Sequence, residues 1–249
     1  MRYEQKLIPD GPHKGRAYGR FSPGSNVKVR SFVVLFHGAF DNIGPIVART
    51  KIHEHKAFSR CVILVPRGEE KLPGKCVWNT GMTVGDAVKA TLDDLDFIGT
   101  MLEQEGFSAT LHRLYTAGFS QGGCAAFDFS RNVTVNNTTV IARACASVAF
   151  VPDFDARTAD RRVPLYLALS TVDEFAHFDG GRAGFINYEH RSALPWIQER
   201  WGTTVAIDVP GITRNGDDVV RIYDDREHLK VWQADTTAGL AAHFQRHGL

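Results

Sequence analysis

Apolar residues along this chain gather into short continuous runs, separated by longer stretches in which they recur every three or four positions. Phe32 to Phe36 is such a run, rich in β-branched and aromatic residues, and it ends at His37-Gly38. A strand buried on both faces of a parallel sheet has this pattern, because neither face meets water. Val62 to Val65, stopping at Pro66, repeats it, and Leu111 to Phe119, Val140 to Phe150 and Leu165 to Leu169 continue it. Between the runs, Ile46 to Phe58, Val84 to Glu105, Gln121 to Arg131 and Tyr188 to Trp201 have amphipathic spacing and the length of crossover helices. Such alternation predicts an α/β fold, a three-layer sandwich around a mostly parallel sheet. Tyr3 to Ile8 and Ala17 to Phe21 alternate instead, joined by a link containing Pro9-Asp10-Gly11-Pro12, and predict an antiparallel N-terminal edge. Val219 to Tyr223 is a late strand, and Thr236-Thr237, good N-cap types, are expected to open a last helix over Ala238 to His247.

No repeat, low-complexity tract or Pro/Ser-rich linker interrupts the 249 residues, so one domain over 1–249 is expected. Charge narrows the partners. With 29 Lys and Arg against 28 Asp and Glu and no basic run, the chain lacks the positive excess of a phosphate-tracking protein, and nucleic acid is not an expected partner. Apolar stretches such as Ala144 to Val151 fall short of the roughly 18 residues that cross a bilayer, so no membrane span is expected. Met1 to Lys6 mixes charges where a signal peptide would be basic and then apolar, which reads as cytoplasmic; a secreted domain with its signal removed would read the same. The four cysteines have no CxxC spacing and are expected as reduced thiols.

The chemistry concentrates at Gly118-Phe119-Ser120-Gln121-Gly122, which lies between a buried strand and an apolar helix, the context that G-x-S-x-G requires. Glycines two places before and after the serine relieve collisions in a sharp turn. That turn lifts the hydroxyl above the sheet and leaves the Gln121 amide at the helix start as an oxyanion donor. A second donor is expected after the first buried strand, in His37-Gly38-Ala39-Phe40, from Ala39 or Phe40 with Ala39 favoured; His37 itself reads as structural.

An acid and then a base should follow Ser120 along the chain. Asp173 stands at a strand's C-terminal end, where open α/β sheets build sites; Asp153, Asp155, Glu174 and Asp179 are its rivals. His228 follows the late strand and precedes the final helix. His177 and His190 come too soon after Asp173, and His243 and His247 read as solvated positions on the last helix. Phe40 and Trp78 could line an acyl or aryl pocket, and equally could be core. Ile52-His53-Glu54-His55 lacks the H-E-x-x-H spacing, so no metal is expected, nor any organic cofactor.

With these residues in place the chain resembles the α/β-hydrolase superfamily, and within it the polyhydroxybutyrate depolymerase and feruloyl esterase-like branch. Phe32 to Phe40 is similar to that branch's strand and oxyanion turn, Trp78 and Leu92 to Ile98 to its W…V-D-D-V-x-F-I segment, and Ser170 to Asp173 to its H-G-T-A-D strand end. His228 and Trp232 parallel G-G-H-x-W-P-G, although Asp224-Asp225-Arg226-Glu227 replaces the glycines, and Leu169-Ser170 replaces His-Gly. The elbow is shared with carboxylesterases and acyl-protein thioesterases. The residues and the resemblance together imply a serine carboxylic-ester hydrolase with Ser120, His228 and Asp173 as its triad. Its small-molecule or polymeric substrate would be a short-chain hydroxyalkanoate, aryl or carbohydrate-linked ester, with thioesters as the enzymatic alternative. A noncatalytic binding module on the same fold is the alternative of another class. Acyl length and oligomeric state are not readable from the sequence.

Overall fold

The computed structural model describes residues 1–79, 93–152, 163–182, 189–190, 192–202 and 206–249. In chain order the strands are β1 (Arg2–Leu7), β2 (Ala17–Ser22), β3 (Ser31–Phe36), β4 (Cys61–Pro66), β5 (Glu69–Leu72), β6 (Lys75–Val77), β7 (Arg113–Phe119), β8 (Val133–Val135), β9 (Thr138–Val140), β10 (Ala144–Val148), β11 (Leu165–Ser170), β12 (Gly181–Arg182), β13 (Glu189–His190), β14 (Gly211–Asn215) and β15 (Asp218–Tyr223). The helices are α1 (Ile43–Thr50), α2 (Asp94–Gln104), α3 (Gln121–Asn132), α4 (Ala193–Trp201) and α5 (Ala234–Arg246). Nine strands form one sheet in the order β1-β2-β4-β3-β7-β10-β11-β15-β14. From β4 to β15 every pairing is parallel; β1 and β2 at one edge and β14 at the other are antiparallel.

The two-sided burial anticipated for the central strands follows from where successive side chains go. In β3, Phe32, Val34 and Phe36 enter a core shared with α2, α3 and α4, while Val33 and Leu35 enter a second core shared with α1 and α5. All six residues of β3, β4 and β11 are buried. The layers are therefore helix, sheet, helix, as the alternation implied.

Several boundaries differ from the sequence reading, each for a local reason. The helix expected over Ile46 to Phe58 is α1 followed by two 3₁₀ turns, because Lys51 takes a left-handed conformation (φ 45°) that ends α1. Val140 leaves the expected Val140 to Phe150 strand and closes the β8–β9 hairpin, whose turn residues Asn136 and Asn137 both have positive φ. Of the helix expected over Val84 to Glu105, α2 is the described part, capped by Asp93, and residues 84–92 lie outside the described residues. Glu189–His190 is a short strand, so α4 starts later than the helix expected from Tyr188. The last helix starts at Ala234, and Thr236 and Thr237 are buried within its first turn instead of capping it. Their hydroxyls fasten elements together: Thr236 donates to Val231 O at 2.6 Å and Thr237 to Thr50 O at 2.8 Å.

None of the four cysteines forms a disulfide, and all four are buried. Among the described residues no helix is long and apolar enough to cross a membrane.

Candidate active site

The strands whose C-terminal ends carry the predicted site residues lie in the middle of the sheet. β3 leads into His37 to Phe40, its neighbour β7 into Ser120, β11 into Asp173, and β15, beside β11, into the segment bearing His228. Loops at one rim of a parallel sheet thus bring together residues far apart in sequence.

Ser120 sits at φ 54°, ψ −128°, a region costly for any residue with a side chain, and its amide donates to Val148 O at 2.8 Å. The flanking glycines make that turn sterically possible. A Cβ on Gly118 would lie 1.8 Å from Gly122 O, and one on Gly122 would lie 2.3 Å from His37 O and 2.5 Å from Phe36 O. Helix α3 begins directly after the serine, so the Gln121 amide falls in the first turn, where the helix supplies no acceptor. The Gln121 side chain forms a reciprocal pair with the main chain of Trp78, accepting from Trp78 N at 3.1 Å and donating to Trp78 O at 3.2 Å. This ties α3's first residue to the loop after β6.

His228 is buried, and its Nδ1 lies 2.7 Å from Asp173 Oδ2 and 2.9 Å from Oδ1. A carboxylate only accepts, so the proton between them resides on Nδ1 and leaves Nε2 as the basic nitrogen. Asp173 Oδ1 also accepts from the amides of Phe175 (2.9 Å) and Ala176 (2.7 Å), which fixes the carboxylate from its own turn. Glu174, a rival acid in the sequence, holds the same histidine elsewhere: its Oε2 accepts the His228 amide at 3.0 Å. The Phe119 ring (5.0 Å between centroids) and the Phe175 ring (5.4 Å, edge-on) flank the imidazole. Asp153 and Asp155, the other early rivals, lie outside the described residues.

Ser120 and His228 line one cavity of about 280 Å³, together with Gly38, Ala39, Phe40, Asp41, Arg49, Phe119, Phe175 and Leu229. The Phe40 amide is already donated to Cys76 O at 2.8 Å, which leaves Ala39 as the amide on that wall for an oxyanion. Trp78 is placed away from the cavity. It is 1% exposed, packs edge-on against Phe36, and donates its indole N–H to His37 O at 2.8 Å, which is its core alternative. Arg49, Asp41, Phe175 and Leu229 had no sequence signal; they reach the cavity through the turn after β3, helix α1 and the two late loops.

His37 is fully buried, its Nδ1 2.7 Å from Gly38 O and its Nε2 accepting the Gly68 amide at 3.0 Å. It braces the oxyanion turn, and burial pushes its pKa down to about 4. His243, expected to be solvated, is 1% exposed on the buried face of α5, and burial likewise pushes its pKa down to about 4. Between pH 6.5 and 4 the unfolded chain therefore binds protons that the folded one refuses. Stability is complete above the unfolded value and falls as pH drops, by about 1.4 kcal/mol per unit per histidine. We expect urea midpoints to decline between pH 7.5 and 5 and the decline to be shallower in His243→Phe. An equal slope in that variant would show that His243 titrates normally in the folded chain.

No model of a protein family matches the sequence, and no curated protein matches it. Solved structures do. A thermophilic esterase from the Planctomycetes species Thermogutta terrifontis matches at TM-score 0.62 with 12% identity, covering 98% of this chain and 94% of that one. An S-formylglutathione hydrolase from Agrobacterium tumefaciens matches at 0.60 with 12% identity over 99% and 95%. Acyl-protein thioesterase 2 of Zea mays matches at 0.58 with 13% identity over 92% and 98%. At these identities the likeness is one of fold, and it extends over nearly the whole of each chain.

Proposed function

We propose that this chain, which has the α/β-hydrolase fold, is a single-domain serine hydrolase of carboxylic esters with Ser120 as nucleophile, His228 as base and Asp173 as the acid that orients it. The observation carrying this reading is the His228 ring, held at Nδ1 by Asp173, on the wall of the cavity that also presents Ser120 in its strained turn. In the reaction, Ser120 Oγ bonds to the acyl carbon while His228 Nε2 takes its proton. The ester C–O bond then breaks and that proton passes to the leaving alcohol. Water repeats the sequence on the acyl-enzyme and releases the acid. The Ala39 and Gln121 amides would carry the oxyanion, in a site whose apolar rings lower the local dielectric and strengthen both bonds.

Short acyl or aryl esters fit best. Ligand pockets commonly span about 300–1,000 Å³, and this cavity of about 280 Å³ lies just below that range, walled by Phe40, Phe119, Phe175 and Leu229. That supports the short-chain and aryl esters among those implied by the sequence resemblance, which also names hydroxyalkanoate and carbohydrate-linked esters. The named activities of the structural neighbours, esterase, S-formylglutathione hydrolase and acyl-protein thioesterase, are consistent with acyl transfer to water.

The test is initial-rate hydrolysis of p-nitrophenyl esters from acetyl to dodecanoyl. We expect measurable turnover with an optimum at the short end, and stoichiometric loss of activity on labelling by a fluorophosphonate whose adduct maps to Ser120. An activity-quenching adduct elsewhere would move the nucleophile to that residue, and no turnover on any ester together with no adduct would reject the reading in favour of a binding module.

A further inference from the structure

We infer that Arg49 forms an anion-binding subsite in this cavity, so that the preferred substrate is an ester carrying a carboxylate or phosphate; the inference rests on the ester-hydrolase reading above. Apart from Ser120 and His228, the side chains of the wall are apolar except for Asp41 and Arg49. Arg49 lies in the last turn of α1 with its side chain 19% exposed. Its guanidinium makes one hydrogen bond, from Nη1 to Asp41 Oδ2 at 3.2 Å, and its Cζ lies 4.5 Å from the centre of the Phe119 ring. A guanidinium has five N–H groups, so four are without an acceptor among the described residues.

The contrast with Arg200 marks this as unusual. That arginine, 3% exposed, donates to both oxygens of Asp218 and to Val163 O, and its role is structural. Arg49 lacks comparable partners, and none of its unpaired nitrogens is sealed off from solvent, so its unused N–H groups are open to a ligand that displaces water from the cavity. Their planar fork suits the two oxygens of a carboxylate or phosphate. Asp41 steadies the arrangement from the side: its Oδ1 accepts the Asn42 amide at 2.9 Å, fixing the carboxylate that holds Nη1. Stacking on Phe119, the residue before the nucleophile, places the charge beside the reacting centre.

Two matched ester pairs test this. On the acyl side, p-nitrophenyl hemisuccinate is compared with p-nitrophenyl butanoate; on the alcohol side, para-carboxyphenyl butanoate is compared with phenyl butanoate. The quantity read is the ratio of kcat/KM, charged over neutral, so that intrinsic reactivity cancels between variants. In Arg49→Gln that ratio should fall about 10- to 100-fold for at least one pair, with partial recovery in Arg49→Lys. Added salt should lower the wild-type ratio and leave that of Arg49→Gln unmoved. If Arg49 only neutralises Asp41, Arg49→Gln will lower the melting temperature while both ratios stay put, and the inference falls. If none of the four esters shows Ser120-dependent hydrolysis, it is the ester-hydrolase reading that fails. In that case the subsite is decided by succinate monomethyl ester, which should raise the melting temperature of wild type and not of Arg49→Gln; equal shifts would overturn it.

Discussion

Ser120→Ala is expected to lower kcat/KM on a short p-nitrophenyl ester by about 10³- to 10⁶-fold while the melting temperature stays near that of wild type. The variant loses one oxygen, and the turn that holds it is set by the backbone: the Ser120 amide on Val148 O and the glycines around it. His228→Ala should cost a similar factor, since no other group then takes the serine proton. Asp173→Asn should cost about 10⁴-fold by turning the imidazole to the wrong tautomer. These losses should not multiply, because the three groups act as one unit. The double variant Ser120→Ala/His228→Ala should therefore be about as slow as either single one. Steady-state rates on purified variants decide it. Full activity in Ser120→Ala would remove the nucleophile, and full activity in His228→Ala beside a dead Ser120→Ala would move the base to another residue.

Gly122→Ala is expected to destabilise the fold and abolish activity together. The added methyl would meet two main-chain oxygens, His37 O at 2.3 Å and Phe36 O at 2.5 Å, and neither is the flexible end of a side chain. Relief requires moving the end of β3 or the start of α3. We expect a loss of about 3 kcal/mol or more. For a chain of this length that corresponds to roughly 6–12 °C in melting temperature. Gly118→Ala should be at least as severe, since its Cβ would approach Gly122 O to 1.8 Å. Gly24→Ala, with nothing within 4 Å of its added Cβ, is the matched control and should melt like wild type. Thermal melts beside ester assays settle the point. A Gly122→Ala protein that melts within about 2 °C of wild type and still turns over would mean that the elbow tolerates a side chain where the steric argument forbids one.

What the sequence makes legible here is whatever local physics determines. β3, β4 and β11 are readable because burial on both faces demands unbroken apolar runs. The elbow is readable because only glycines fit its close contacts, and the order of acid and base is constrained by the order of strands. The C-terminal edge strand β14 is not legible in the sequence, although Asn215-Gly216 is a hairpin turn signal; Ile212 on that strand is 46% exposed, so it has no apolar run to announce it. The start of α5 differs from the sequence expectation because Thr236 and Thr237 are good cap types that are used here as buried fasteners. Trp78 and Arg49 show the harder limit. A tryptophan in a core and one in a pocket have the same one-letter symbol, and what separates them is a contact with His37 or with solvent that arises only when distant segments meet. Arg49 gave no signal, since its proximity to Ser120 depends on α1 packing beside the end of β7.

The free rim formed by β1 has a further meaning for behaviour in concentrated solution. Among the described residues no strand is added to its outer edge, the usual invitation for a neighbouring chain to continue the ladder, and one outward carbonyl, Leu7 O, is taken up by Gln104 Nε2 at 3.3 Å. Here the strand reads Arg2-Tyr3-Glu4-Gln5-Lys6-Leu7, with Glu4 bonded to Arg2 at 3.0 Å and Lys6 to Glu105 at 2.8 Å. An incoming strand would have to lie along these ionic groups and strip them of water, a cost that a few main-chain bonds do not recover. The sheet is thus guarded against cross-molecular extension at that side by charge, together with the C-terminal end of α2, whose Gln104 and the following Glu105 hold Leu7 O and Lys6.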